Sequence, residues 1–558
     1  MQPVPSDVGY RWRGLAAMLV GTFSVTLSLS FLFPASPVIM SDFGVSIETV
    51  AWLSLAYALG ASVFEPMWGR LGDLHGRKRN ALMGLGLFTL GGLASAISPS
   101  IWAMAGARFV QGFGAAGIIP IGMAFVGENF PQEERGRALG LWGMISGVAP
   151  ALGPTLGGYL IDWFGWRSIY WASVLLGLAG LAAIQAVVRE SRRARAEPFD
   201  LPGSALLFLW AGSLLVAVNQ GRSWGWISPL TLGFAAGFLL FLALFLVVES
   251  RTAHPVVDLS IVRTRLFALA GTAVLVSFLA FQGAFFLIPF LLQQVQGCPA
   301  SQTGQLVMPL FLGIMGASLV SGRMSDRLGA RIPALLGSLL TSLALFLLTL
   351  VDRHTGYGYL LVVMATLGLG IGATLPPLSR AITSGVPLRR IGSATGVFNM
   401  SRNLGGPFGV AMAATIFAQQ ASETGTAYVA GAFTEVGNRL AMVGLGPGIL
   451  RELPHLKELA QSGTLDQRQL GVVRDLGPAL QAIQEEARLR GFEVGFTGTA
   501  LVMFAVSLVG VLATLLVEGC WRRPTVSRAA SERRGEGVQR MTQDDERRWW
   551  LPSESRVR

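Results

Sequence analysis

Apolar residues along this chain gather into runs of spanning length, broken by short polar connections. A helix needs roughly twenty consecutive apolar residues to cross the hydrocarbon core of a bilayer. Fourteen such runs are legible. They lie near 15–37, 50–68, 80–98, 103–127, 137–160 and 168–188, then 202–219 and 229–249, then 269–294, 303–322, 333–351, 357–379, 393–417 and 494–518. The pattern predicts an all-α membrane protein of fourteen spans, with two of them, 202–219 and 229–249, set between two groups of six. The first run begins near Leu15 and exceeds the apolar core of a signal peptide, about 7–15 residues, so it is expected to stay as a span.

The connections carry the orientation. Arg70, Arg77, Lys78 and Arg79 stand in 69–79; Arg189, Arg192, Arg193 and Arg195 in 189–200; Arg323, Arg327 and Arg331 in 323–332. The alternate connection 38–49 holds Asp42 and Glu48 without Lys or Arg, and 295–302 holds no charge. Cations collect on the cytoplasmic side of spans, so both termini are expected inside, in a bacterial inner membrane. The even span count agrees. The resulting division is a cytoplasmic N-terminus 1–14, a six-helix bundle 15–188, two added spans with their loops in 189–268, a second bundle 269–518, and a basic cytoplasmic tail 519–558. Within the second bundle, 419–493 falls outside the membrane as an insert, with amphipathic helical text around Gln467–Arg490. A cap, a docking element for a periplasmic adaptor leading to an outer-membrane channel, and a solvated insert without a specific task are its possible readings.

Composition narrows the class. Hydrophobic residues make up 52% and charged residues 13% of 558, and mean hydropathy is +0.54. A globular chain carries about a quarter charged residues. Gly (70) and Pro (27) sit inside the apolar runs, where small residues let helices approach. The net charge of +11 reflects connections and tail, not a groove for nucleic acid. Cys298 and Cys520 fall on opposite faces in this topology, which excludes a disulfide between them.

An internal repeat points to two related halves. GRLGDLHGRKR begins at Gly69 and GRMSDRLGAR at Gly322, so Gly69, Arg70, Asp73 and Gly76 align with Gly322, Arg323, Asp326 and Gly329 at a constant offset of 253 (322 − 69). Parallel halves with a cargo site between them near the midplane are one way in which secondary transporters are built. In the first copy, Gly69 and Gly76 permit a tight turn, Asp73 can accept from a helix N-terminus or an arginine, and Arg77 and Lys78 hold the inner face. Arg331 does the same in the second copy.

Single residues inside the spans add chemistry. Arg108 lies within an apolar run, where a charge costs at least about 2.5 kcal/mol unless it faces a partner or a cavity. It can attract an anionic group, adjust a nearby carboxylate, or serve as a hydrogen-bonding strut. Glu65 is the one clear acid within a run, one turn before Gly69; it reads either as a proton carrier or as a gate residue paired with arginine.

The GxxxDxxGRK loop after the second span resembles the signature of the major facilitator superfamily. ARFVQGFGAAG, carried by Arg108, Gln111, Gly112 and Gly114, is similar to its buried-arginine motif. GVAPALGPTLGGYL, carried by Gly147, Gly153, Pro154, Gly157 and Gly158, resembles its exporter motif, and Trp166-Arg167 its usual start of the sixth span. The two central spans and GSATGVFNMSRNLGGPFGVA from Gly392 look like the fourteen-span drug:proton antiporters of the EmrB/QacA type. The resemblance implies a proton-coupled multidrug exporter working by alternating access, with small-molecule cargo, protons and membrane lipid as partners and no cofactor or metal. One departure matters: Ser28 stands where that group carries a first-span acid, which weakens the case for cationic drugs.

Rival classes have little to rest on. Neither lysine, Lys78 or Lys457, follows the glycine of a phosphate-binding GK pair, so an ATP-driven pump is excluded. His75, His254, His354 and His455 lie scattered in connections with no zinc spacing, and an enzyme is not expected. Uptake of a specific solute, and a non-transporting sensor or scaffold, remain alternatives to export.

Overall fold

The computed structural model describes residues 8–190, 200–252, 255, 257, 259–384, 391–442 and 467–517; within these, the surroundings of Gly69 and the side chains of several residues, among them Arg70 and Asp73, lie outside the description. Helices in the first half are α1 (Val8–Phe43), α2 (Ile47–His75), α3 (Arg77–Ala96), α4 (Ile101–Ala115), α5 (Ile118–Asn129), α6 (Gln132–Phe164) and α7 (Arg167–Val187). Two more follow, α8 (Leu201–Trp224) and α9 (Pro229–Arg251), and then the short α10 (Leu259–Val262). The second half has α11 (Arg265–Phe290, prolonged by a π turn Leu291–Val295), α12 (Ala300–Leu328), α13 (Arg331–Leu348), α14 (Tyr357–Ser384), α15 (Ile391–Met442) and α16 (Gln467–Leu516).

Among the described residues, twelve helices are long and apolar enough to cross a membrane, α4 and α5 together forming one of them. Helices α3 and α15 pack among these, an arrangement compatible with fourteen spans. Three cations in the first turn of α3, Arg77, Lys78 and Arg79, make it the more polar of the first-half helices.

Packing repeats between the halves. In the first, α2 packs on α4, α1 on α6 and α7, and α3 on α4 and α7. In the second, α12 packs on α14, α11 on α15 and α16, and α13 on α14 and α16. Each pair has its counterpart, as the GR…D…G repeat predicts. The aligned glycines keep the same geometry too: Gly76 ends α2 at φ 97° and Gly329 ends α12 at φ 82°. Both lie in the left-handed region, where a Cβ is strained, so each chain reversal at the second span requires glycine.

The halves meet along two seams, α6 against α12 and α2 against α15. Helix α8 lies on the second seam, touching both α2 and α15, and α9 packs on α8 while presenting most of its surface outward. We call outer the face that carries the α1–α2 connection. Asp42 there accepts from the Trp166 indole at 2.8 Å, and Gln296 donates to the carbonyls of Asp352 and Thr355 at 3.2 and 3.3 Å. On the inner face Arg77 pairs with Glu128 at 2.9 Å and Arg11 with Glu134 at 3.6 Å.

Residues 419–493, expected as an insert between spans, are largely a continuation of helices. Helix α15 runs on to Met442 and α16 begins at Gln467; residues 443–466 lie outside the described residues. The extensions hold each other: Phe417 meets Phe492 edge-on at 4.6 Å, and the Arg490 guanidinium lies 4.6 Å over the Tyr428 ring. Arg353, in the α13–α14 connection, pairs with Glu486 at 3.2 Å and Glu493 at 3.6 Å. Polar residues on these turns lower the hydropathy without interrupting the helix, which is why an apolar window ends before the helix does. A groove of about 530 Å³ runs between the two extensions, lined by Phe417, Gly425, Val429, Ala487 and Phe492 among others.

Along the inner half of α6, Gly136, Gly140, Gly143 and Gly147 fall on one face, three and four residues apart. A Cβ built on any of the four meets nothing within 4 Å.

Candidate functional site

Arg108 on α4 is wholly buried inside the first half. Its Nε donates to the Leu53 carbonyl of α2 at 3.3 Å, its Nη1 to Gln111 Oε1 at 2.7 Å, and its guanidinium lies 4.4 Å over the Tyr57 ring. Gln111, one turn on, donates to Ser28 Oγ of α1 at 3.3 Å, and Ser173 of α7 donates to the same oxygen at 2.7 Å. Four helices thus converge on one polar node. Ser28 acts there as an acceptor. Among the described residues, Arg108 Nη2 and the Tyr170 hydroxyl have no hydrogen-bond partner, and no carboxylate pairs with this arginine. A buried cation held by neutral groups alone is a strong local field in a poorly screening environment.

Glu65 belongs to a different cluster. It sits on the α2–α15 seam, where Asn403 Nδ2 donates to its Oε2 at 3.2 Å and Arg402 lies within electrostatic reach. Arg108 is not its neighbour: that arginine contacts α2 at Leu53 and Tyr57, two turns or more before Glu65. The structure therefore joins Glu65 to the opposite half and leaves Arg108, with Gln111, inside its own.

Arg402 and Asn403 were not singled out by sequence reasoning, although the signal was present. Arg402 lies inside the 393–417 run as plainly as Arg108 lies inside its own, and the cost of an intramembrane charge marks both equally.

The loop motifs divide as follows. Arg77 donates to the Ala124 carbonyl and pairs with Glu128; Lys78 Nζ donates to the Gln185 carbonyl at 2.8 Å. Glu190, three residues past the end of α7, accepts the backbone amides of Lys78 and Arg79 at 3.0 and 3.1 Å, so a carboxylate caps the start of α3. A Cβ at Gly76 would fall 2.3 Å from that carboxylate. In the second copy Asp326 pairs with Arg380 of α14, Gly322 has open space around it, and Arg331 starts α13. The side chain of Asp73 lies outside the described residues.

The GPxxGG segment of α6 faces two partners. Gly153 and Gly157 press on α1, where a Cβ would meet Ser30 and Phe31 at 2.6 and 2.9 Å. Gly158 presses on the other half: its Cβ would fall 2.3 Å from the Ala300 carbonyl, and a Cβ at Gly304 would fall 2.1 Å from the Pro154 carbonyl. Thr155 adds a hydrogen bond to the Gly304 carbonyl at 3.2 Å. The motif thus brings two backbones, one from each half, into direct contact.

Comparison with known proteins agrees with this architecture. The chain is 34% identical over 411 residues to the multidrug resistance protein Stp of Mycobacterium tuberculosis (strain CDC 1551 / Oshkosh), covering 74% of this chain and 76% of that one. It is 29% identical over 511 residues to the tetracenomycin C resistance and export protein of Streptomyces glaucescens, covering 90% and 91%. Among solved structures, a bacterial homologue of the human lysosomal transporter Spinster, in an inward-facing and unoccupied conformation, superimposes with a TM-score of 0.61 at 16% identity, covering 93% of this chain and all of that one. The sequence profile of the Major Facilitator Superfamily matches residues 18–410, and the chain is a member of that family.

Proposed function

We propose that this protein is a proton-coupled exporter of small amphipathic or toxic compounds in a bacterial inner membrane, working by alternating access between its two halves. Support for export comes from relatives named for multidrug resistance and for tetracenomycin C resistance and export, together with the GPxxGG segment. Both termini are assigned to the cytoplasm from the arginine-rich connections. The paired extensions of α15 and α16 then project outward, a position suited to a periplasmic adaptor that continues to an outer-membrane channel.

One observation carries the coupling mechanism: Glu65, on the first half, accepts from Asn403 of the second, with Arg402 within electrostatic reach. A charged Glu65 holds the seam through Arg402 and Asn403. Protonation removes the charge that Arg402 answers, weakens the seam and frees the halves to move. Cargo binding and protonation compete for this state, and the Arg108–Gln111 node stiffens the helix that carries Glu65. No enzymatic step is part of this reading.

Everted vesicles with an imposed proton gradient test it. Glu65→Gln is expected to abolish or flatten the pH dependence of export; export with the wild-type pH profile overturns the proton role. A susceptible host expressing the chain, grown against a panel of toxic compounds, tests direction. Protection against unrelated amphiphiles supports export, whereas accumulation of one nutrient without protection replaces it with uptake.

A further inference from the structure

The outer end of the α6–α12 seam contains a contact that the motifs do not account for. Asp162, in the last turn of α6, accepts two backbone amides of the opposite half: Ala300 N to Oδ1 at 3.1 Å and Ser301 N to Oδ2 at 3.0 Å. These are the first two amides of α12, and the first amides of a helix have no acceptor within it. Several helices here supply their own acceptor from the preceding residue: Ser46 for α2, Ser100 for α4, Asp200 for α8, Ser228 for α9 and Thr264 for α11. Helix α12 follows Pro299, which has no side-chain acceptor and makes no cap. Its cap is borrowed from the other half.

We propose that Asp162 is the outer latch of the transport cycle, a positioning residue that holds the second half against the first while the outer face is closed. The groups around it fit this role. Gly158 and Gly304 let the two backbones touch, the Gln305 side chain donates to the Tyr159 hydroxyl at 2.7 Å, and Thr155 reaches the Gly304 carbonyl. All of these join α6 to the first turns of α12, at the same end where the Phe33 ring of α1 stacks on Phe285 of α11 at 4.2 Å. Opening the outer face must pull the Asp162 carboxylate off α12 and hand two amides to water. Asp162 is solvent-exposed, so water replaces it readily. The latch is therefore strong enough to bias the two access states and weak enough to release within a cycle.

Pulsed electron-spin distances between labels at Trp163→Cys on α6 and Met308→Cys on α12 test this, in full-length protein carrying Cys298→Ser and Cys520→Ser, reconstituted in liposomes. Asp162→Ala is expected to raise the ratio of separated to joined outer ends by a factor of roughly 5 to 30, the effect of losing one helix cap. Asp162→Asn, which keeps one acceptor oxygen, is expected to raise it less. Ser301→Pro removes the second amide and sets its ring carbon where that N–H faced Asp162, displacing the carboxylate from the contact, and proline is accommodated at this position of a first turn, as Pro202 is in α8. It should raise the ratio alone but add nothing to Asp162→Ala, because both remove the same contact. A wild-type ratio in Asp162→Ala, or effects that simply add in the double variant, overturns the latch. If Asp162→Ala fails to fold, the ratios in Asp162→Asn and Ser301→Pro decide in the same way.

Discussion

Arg222, in the last turn of α8, donates to Glu48, in the first turn of α2, at 2.7 Å, and the Glu48 side chain is only 6% exposed. On its other side α8 meets the second half through a neutral bond, the Thr415 hydroxyl of α15 donating to the Val218 carbonyl at 2.9 Å. Stranding a buried carboxylate costs about 3–5 kcal/mol, whereas a neutral hydrogen bond contributes about 1 kcal/mol. The charged attachment is to the first half, so α8 and α9 are expected to travel with it in the transport cycle. Arg222 is 31% exposed, and water softens the loss. Arg222→Leu is expected to destabilise the protein by about 2 kcal/mol in thermal unfolding, with much of that recovered in Glu48→Gln/Arg222→Leu.

Ser28 tests the polar node around Arg108. Ser28→Ala leaves Gln111 Nε2 without its acceptor in a fully buried place, an omission that costs about 1–3 kcal/mol. Ser173→Ala leaves the Ser28 hydroxyl in place as the acceptor for Gln111, so it should cost clearly less than Ser28→Ala. Unfolding midpoints in detergent measure the difference, and equal losses would mean that the node does not depend on Ser28.

The glycines of the exporter-type segment are not equivalent. Gly147→Ala adds a methyl into open space and, at a helical position, should leave export intact and stability unchanged or raised by up to about 1 kcal/mol. Gly158→Ala drives a methyl into the Ala300 carbonyl and should cost about 1–3 kcal/mol, with export lost. Vesicle export assays on the two variants separate a motif acting by backbone contact from one acting by flexibility.

Glu65 and Arg402 are expected to act as a unit. Removing either charge alone leaves the other on the seam without its opposite charge, with Asn403 still donating to Glu65 when Arg402 is the one removed. Glu65→Gln/Arg402→Gln should therefore be more stable than the sum of the single losses predicts. Full additivity in unfolding experiments would show that the two do not interact.

Much of the fold is legible without coordinates because membrane helices announce themselves by length. The runs expected at 202–219 and 229–249 became α8 and α9 with ends shifted by a few residues, and the repeat foretold the shared geometry of Gly76 and Gly329. Where apolar length stops being the signal, legibility drops. The α16 extension is legible as amphipathic helical text around Gln467–Arg490, whereas the α15 extension to Met442 has polar residues that no hydropathy window follows. Asp162 was expected only as part of a connection, because nothing local to it shows that Ala300 lies opposite. Glu65 was visible as an acid within a span, but its partner Asn403 lies 338 residues away on the other half, a distance that helix periodicity does not bridge. Arg402 is a different matter, since the test that marked Arg108 would have marked it.

The bare face of α6 has a consequence for the transport cycle. Gly136, Gly140, Gly143 and Gly147 offer a neighbouring helix nothing but backbone. A surface of long side chains must freeze their rotamers each time it is covered, at up to about 2 kcal/mol apiece, and release them each time it is bared. Whatever settles on these four glycines orders no side chain of α6 and disorders none on leaving. Contact made and broken there exacts that entropic toll from the covering surface alone, about half of what two faces of long side chains would lose each time the molecule cycles.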